Sequence, residues 1–343
     1  MIGKLTAYAF SMQQVIRRIR EMINITIELN DAMTQLKIVT QATDAEYERY
    51  ARNIARTATE IGIATKDLID ASTVYARLGY SLDESSALAK YTGMLQNVGD
   101  IDASTAQSAI TSIVKAFNVD IGDIESVMDK LVVVGNNFPI SVKQIAEGMM
   151  NASSSLHAAG NNIEQSIALL TAANTTTQDI AKASTAVRTI SARLRNTKAE
   201  LDELGEEVMT EAKYQELVDM LTGHDVSLID KQTGALRSTY DVLRDIAAVW
   251  ESIGVNERAD LRHKLPALGS RMCSILFSNS LQKQNKQWMP WLVVLVRWTR
   301  RTVFIWKALL HILTSLKQLG KLLARPSWTL NFLRLLLTRA LGS

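Results

Sequence analysis

Apolar residues recur three and four positions apart along most of the first 260 residues, the spacing of one helix face. In Lys182–Gly205 they fall at Ala183, Val187, Ile190 and Leu194. Arg188, Arg195 and Lys198 form a second, basic stripe in the same stretch. Thr197 followed by Glu200 is a capping box that starts the next helix, and Gly205 stops it. Nearer the start, Val15, Ile19, Ile23, Ile27 and Leu29 predict one or two helices over residues 4–38. A signal peptide is the competing reading there. Ser11 and two glutamines interrupt its short apolar run, and no small-residue cleavage site follows.

From Thr43 onward the pattern predicts short helices with polar punctuation. They run over Glu46–Gly62 and Thr65–Gly79, then from a Ser81/Glu84 capping box toward Gly99. Asp102 or Ser104 caps the next, whose apolar face is Ala106, Ile110, Ile113, Val114 and Phe117. Ile124–Val134 follows. Ser141 with Gln144, after Pro139, opens a helix that Gly160 ends, and Asn162 with Gln165 opens another through Ala173. Tyr214–Ser238 breaks the pattern: 225–229 alternates and 230–234 reads as a turn, which predicts a small β-hairpin near 225–237. Helix returns over Asp241–Ile253, with Leu243, Ile246, Val249 and Trp250 inward.

The fold class is therefore all-α, a multi-helix core with a small β-hairpin. Three segments are expected: an N-terminal helical segment over 1–40, a helical core over 41–255, and a basic tail over 256–343 with no assigned structure. The tail changes the picture of charge. The net charge of +3 hides a first part with 24 basic and 35 acidic residues, net −11, and a stretch from Leu261 with fourteen Lys or Arg and no Asp or Glu. Five of the six tryptophans lie in that stretch (Trp288, Trp291, Trp298, Trp306, Trp328), with three of the four prolines (Pro266, Pro290, Pro326).

Candidate chemistry is sparse. The single cysteine, Cys273, excludes an internal disulfide framework and a cysteine-based zinc site. His157, His224, His263 and His311 show no ligand spacing, so no metal and no cofactor is expected. Glu203, Glu206 and Glu207, like Asp120 and Asp123, read as solvated helix ends rather than an acid–base pair, which would need burial to separate their pKa values. Met149 and Met150 read as core filling. A glycine-rich phosphate loop is absent. The basic stripe Arg188, Arg195 and Lys198 is a candidate contact for an acidic partner or a nucleic-acid backbone, set against a plain solvated face. Trp291–Val296 is far short of the ~20 apolar residues of a membrane span. The sequence gives no site for an enzyme.

Several ordered blocks carry a resemblance. They are Leu36-Lys-Ile-Val-Thr-Gln-Ala-Thr-Asp44, Leu78-Gly-Tyr-Ser-Leu82, Asn97-Val-Gly-Asp-Ile-Asp102, Ala109-Ile-Thr-Ser-Ile113, Leu169-Leu-Thr-Ala-Ala-Asn174, Ala183-Ser-Thr-Ala-Val-Arg188 and Arg193-Leu-Arg-Asn-Thr-Lys-Ala-Glu-Leu201. Together, Asp44 to Asp260 resembles the core of phage tail tape measure proteins. The resemblance implies a structural protein of tail length determination and assembly. Its expected partners are tail assembly chaperones, tail tube and tail tip proteins, with self-association and no small-molecule substrate. It would lie in the virion tail lumen when assembled and in the bacterial host cytoplasm during assembly. It carries over no catalytic residue.

Two departures qualify that expectation: the chain begins close to the core, and the resemblance ends near Leu261. They fit a fragment or a degraded prophage copy. The loss of acids, the clustered tryptophans and the prolines at the same place predict a tail read out of frame from about Arg262. The alternative from another class is a membrane-active helical protein whose cationic, Trp-rich tail binds anionic lipid; DNA contact by that tail is its companion reading.

Overall fold

The computed structural model describes residues 2–250 and 252–265, with side chains from residue 16 onward. The basic tail, with Trp291–Val296 and Leu330–Leu337, lies outside the described residues. Thirteen α-helices and one 3-10 turn follow in order: α1 Ile2–Val39, α2 Asp44–Ile61, α3 Thr65–Arg77, α4 Leu82–Gly99, α5 Ala103–Phe117, the turn Ile121–Asp123, α6 Ile124–Asn137, α7 Val142–Ala158, α8 Ile163–Thr177, α9 Ile180–Arg195, α10 Lys198–Glu203, α11 Glu211–Gly223, α12 Thr239–Val249 and α13 Val255–Lys264. The fold is all-α, and residues 4–38 form part of one helix rather than two.

Local chemistry sets the helix starts. Capping boxes form at Thr43/Glu46, Ser81/Glu84, Ser141/Gln144 and Asn162/Gln165, and Asp102, not Ser104, caps α5. Each box satisfies two amide donors that the first helical turn leaves open. The carboxyl groups of Glu46 and Glu84 are held below the ordinary glutamate range, first by the backbone N–H of Thr43 and of Ser81. α6 runs three residues beyond the expected Val134. It ends at Phe138, whose φ of −128° and ψ of 160° are the extended backbone that a following proline, Pro139, imposes.

α7 is the hub, with α5, α6, α8 and α9 packed around it. Its buried face, Val142, Ile145, Ala146, Gly148, Met149, Ala152, Ser153 and Leu156, alternates large and small side chains. The small ones let neighbours approach: a Cβ on Gly148 would sit 2.9 Å from Ile180 Cδ1. A second cluster joins α1, α2 and α3 through Ala32, Leu36, Tyr50, Ile54, Ala58, Leu68 and Ile69. Fully burying each large aliphatic contributes roughly 1.5–3 kcal/mol.

Two expectations need correction. Tyr214–Ser238 is not a break throughout, because α11 spans Glu211–Gly223. Only Leu217 and Leu221 of that helix are buried, too thin a stripe to read against its charged neighbours. The hairpin reduces to a single antiparallel bridge, Ile229 to Leu236, and no strand forms among the described residues. Val226 and Leu228 do turn inward. The Asp230 carboxylate takes the N–H groups of Gln232 and Thr233 in the turn, both at 2.8 Å. The ladder ends after the Arg237 N–H donates to Leu228 O at 2.9 Å, because Ser238 already caps α12 and the Thr239 N–H donates to Ala159 O at 3.2 Å.

Candidate functional site

The expected basic stripe lies where α9 meets α10. Asp179 caps α9 by accepting from the N–H groups of Ala181 and Lys182, each at 3.1 Å, and the Lys182 amide first of all lowers its pKa. Ala183, Val187, Ile190 and Leu194 are all buried, as their spacing predicts. Asn196 then takes a left-handed φ of 47°, and its side-chain amide exchanges two 3.2 Å hydrogen bonds with the backbone of Met209. α9 is thereby fixed at both ends before its charges are placed.

Arg188 does not face solvent. Its guanidinium side chain is 18% exposed; Nε donates to Ser155 Oγ at 3.0 Å and to Glu200 Oε1 at 2.9 Å, and Nη2 donates to Glu203 Oε1 at 2.7 Å. Burial works against its charge, but Glu203 and Glu200 outweigh that and raise its pKa above the ordinary guanidinium value. Glu200 also accepts from the Ser155 hydroxyl. One arginine on α9 thus ties α7, through Ser155, to the short helix α10. The Thr197/Glu200 capping box does not form. The Thr197 N–H already donates to Ala192 O at 3.0 Å, and Glu200 is committed to Arg188.

Arg195 also turns inward. Its Nη2 donates to the Arg237 carbonyl at 3.1 Å, and desolvation lowers its pKa. It passes over Gly160, where a Cβ would meet Nη2 at 2.8 Å; the φ of +78° there also favours glycine. Lys198 alone of the three is exposed. The structure therefore does not bring Arg188, Arg195 and Lys198 together on one open basic face. What sequence reasoning missed is the acceptor set: Ser155, Glu200, Glu203 and the Arg237 carbonyl. It also missed Arg193, whose Nη2 reaches Glu206 at 2.7 Å. No local spacing announces these partners, because a helix end separates each arginine from its carboxylate.

Of the other acidic residues considered for chemistry, Asp120, Asp123 and Glu207 are exposed. Met149 is fully buried among core residues. A cleft of about 360 Å³ is lined by Phe117, His157, Gly160, Asn161, Asn162, Ile163 and Glu164. Its imidazole stands edge-on to Phe117, with ring centroids 5.3 Å apart, and its carboxylate pairs with Lys130. Another, of about 400 Å³, lies between the α1–α2 and α3–α4 connections. Among the described residues no three His, Cys, Asp or Glu gather to hold a metal, and no helix is long and apolar enough to cross a membrane.

These features define a class: an all-α module in which Arg49 and Arg188 pair with carboxylates of other helices. The model of the phage-related minor tail protein family matches residues 51–265, nearly all of that helical core, and the chain belongs to this family. It is a phage tail protein with a structural role, placed in the virion tail. No solved structure matches the chain.

Proposed function

We propose that the protein is of the tape measure type and acts in tail assembly. The observation that carries this reading is the order of the resembling blocks within the matched region. Asn97–Asp102 forms the α4–α5 junction, Ala183–Arg188 lies in α9, and Arg193–Leu201 spans the α9–α10 joint. Two of these segments are helix junctions and the third lies on α9, whose Ala183 and Val187 are buried. α1 has 38 residues and reaches about 57 Å at ~1.5 Å per residue. A helix of that reach suits a protein acting in tail length determination and assembly. Its partners are tail assembly chaperones, tube and tip proteins, met through protein surfaces.

Co-expression with the tail proteins encoded beside it, followed by pull-down on this chain, tests the proposal. Co-purification with a chaperone or tube subunit is expected. Failure to retain any of them, together with saturable binding of a metabolite, overturns it.

A further inference from the structure

We propose that residues 210–265, which carry α11, α12 and α13, form a lobe that swings away from α7–α9 as one unit while α1–α10 stay folded. The lobe has an interior of its own. Leu217, Leu221, Ile246, Leu261 and Leu265 are buried to within 1%. α11 packs on α13, where Lys264 reaches Glu216 at 3.1 Å and His224 Nε2 stands 3.3 Å from Glu257. Arg258 and Arg262 of α13 each place a guanidinium 5.7 Å from the centre of the Trp250 ring. Arg237, just ahead of α12, bonds Asp245 within it at 2.6 Å. All of these contacts travel with the lobe.

The seam to the core is of another kind. Its main helix contact is α12 against α8. Across it the Tyr214 hydroxyl donates to Leu194 O and Arg195 Nη2 to Arg237 O, each at 3.1 Å. The Thr239 N–H donates to Ala159 O at 3.2 Å, the Tyr240 N–H to Asn161 Oδ1 at 2.9 Å, and Gln165 Nε2 to Asp241 Oδ2 at 3.4 Å. None of these bonds joins a cation to a carboxylate. Among the described residues Arg195 Nε and Thr239 Oγ1 are buried here with no hydrogen-bond partner, and burial disfavours the Arg195 charge. Opening returns both groups to water and recovers hydration that closure withholds. One margin of the seam is already unsealed. Gly160 and Asn161 line the cleft of about 360 Å³, and a Cβ on Gly160 would lie 3.4 Å from Ser238 Cα.

The pivot is built into the connection. Among the described residues the chain passes from core to lobe once, and the passage is anchored on the core side. Arg193 Nη2 holds Glu206 at 2.7 Å, and the Asn196 amide holds the Met209 N–H and carbonyl at 3.2 Å each. The anchored segment stops there, and α11 begins at Glu211 behind its cap, Thr210. Rotation about Thr210 therefore moves three helices without drawing α9 or α10 after them. A seam of neutral bonds parts before the ion pairs and apolar burial inside the lobe do, so the three helices open together rather than fray singly. The open form is also the one in which Arg195 joins the exposed Lys198 in water. The proposal stands whether or not the tape measure reading holds.

Site-resolved amide hydrogen exchange of the full chain, in urea below the unfolding midpoint, tests the lobe. The protected amides of α11, α12 and α13 should share one opening with one urea dependence, reached at lower urea than the openings of α7 and α8. Tyr214→Phe, which removes the bond to Leu194 O, should make that opening about fivefold more frequent. Thr239→Val, which removes the unpartnered hydroxyl, should make it rarer. Arg188→Ala weakens contacts that survive the opening, so it should leave exchange in the lobe at the wild-type rate. Lobe amides that exchange at the rates of α7, or helix by helix with different urea dependences, overturn the proposal. So does a lobe opening that Tyr214→Phe leaves unchanged, that Thr239→Val fails to slow, or that Arg188→Ala quickens.

Discussion

Arg188→Ala decides between an arginine that holds the core together and one that waits for a partner. The substitution removes three charge-assisted contacts. Glu200, 22% exposed, loses its guanidinium but keeps the Ser155 hydroxyl, so it is not left bare. That keeps the cost below the ~3–5 kcal/mol of stripping a fully buried pair. Glu203 is 66% exposed and returns to water, so its share is under ~1 kcal/mol. Hydrogen bonds to charged groups contribute ~1.5–3 kcal/mol. The expected loss is therefore about 2 kcal/mol, nearly all through Glu200. With a urea slope of ~2 kcal/mol per molar, the unfolding midpoint of the full chain falls by about 1 M. Amide hydrogen exchange should quicken over 198–206 while α9 keeps its protection. A double-mutant cycle with Glu200→Gln should show coupling of ~1–2 kcal/mol, and with Glu203→Gln under ~0.5. An unchanged midpoint, or equal coupling to the two glutamates, refutes the joint. Loss of tail-protein binding at unchanged stability would return Arg188 to the exposed stripe.

Gly135→Ala should destabilise, because its Cβ would meet Val142 backbone N at 2.9 Å; the clash, typically ~1–3 kcal/mol, outweighs the ~1 kcal/mol gained in helix propensity. Gly148→Ala, facing only side-chain ends, should cost less, and urea unfolding ranks the two. Acid should destabilise: the lowered carboxyl pKa values of Glu46, Glu84, Asp102, Asp179 and Glu164 mean that the unfolded chain binds protons first, so stability is full above the ordinary carboxylate range and falls as pH drops through it. A urea midpoint flat or rising from pH 6 to 3 contradicts this. Residues 41–255 should fold as a helical unit, but a 28–265 fragment should melt higher, since Leu36 and Leu265 are fully buried outside the shorter bounds; circular dichroism of both fragments checks it. The stretch from about Arg262 should prove to be out of frame, and sequencing the gene answers this: no neighbouring frame continuing an acidic, helical pattern means the expectation is wrong.

Where the sequence was legible, the signal was local. A capping box needs two residues three apart, and Ser81/Glu84, Ser141/Gln144 and Asn162/Gln165 each start the helix they announce. The buried face of α9 follows from period alone. What failed involved competition across the chain. Thr197/Glu200 has the right letters, yet both groups are claimed by partners from outside the motif. Arg188 and Arg195 share a stripe by spacing, but whether a stripe faces water depends on what packs over it: α10 and Ser155 in one case, the Arg237 carbonyl in the other. The turn at 230–234 was readable from Asp230 and Gly234, whereas the length of its ladder was set by the start of α12 at Ser238 and by the Thr239 N–H reaching Ala159 O.

The same competition bears on where this protein meets others. A charge already bonded across a helix junction must break that bond before it can serve a partner, and Arg188, Arg193, Arg237 and Lys264 are each so bonded. Offering them outward would loosen the core that positions them. Apolar surface carries no such conflict, because covering it removes it from water and leaves no existing bond broken. Among the described residues the exposed large hydrophobics elsewhere are scattered: Val74, Leu78, Val98, Ile229, Leu236 and Val255 lie on five separate segments. In α1 they are contiguous, six between Ile16 and Ile27 with Ile38 beyond. Scattered residues are ordinary for a surface, and a contiguous patch marks contact. Partners of a core that has bonded its own charges should therefore engage first along α1, and substitutions there should impair assembly while leaving the melting of residues 44–265 nearly unchanged.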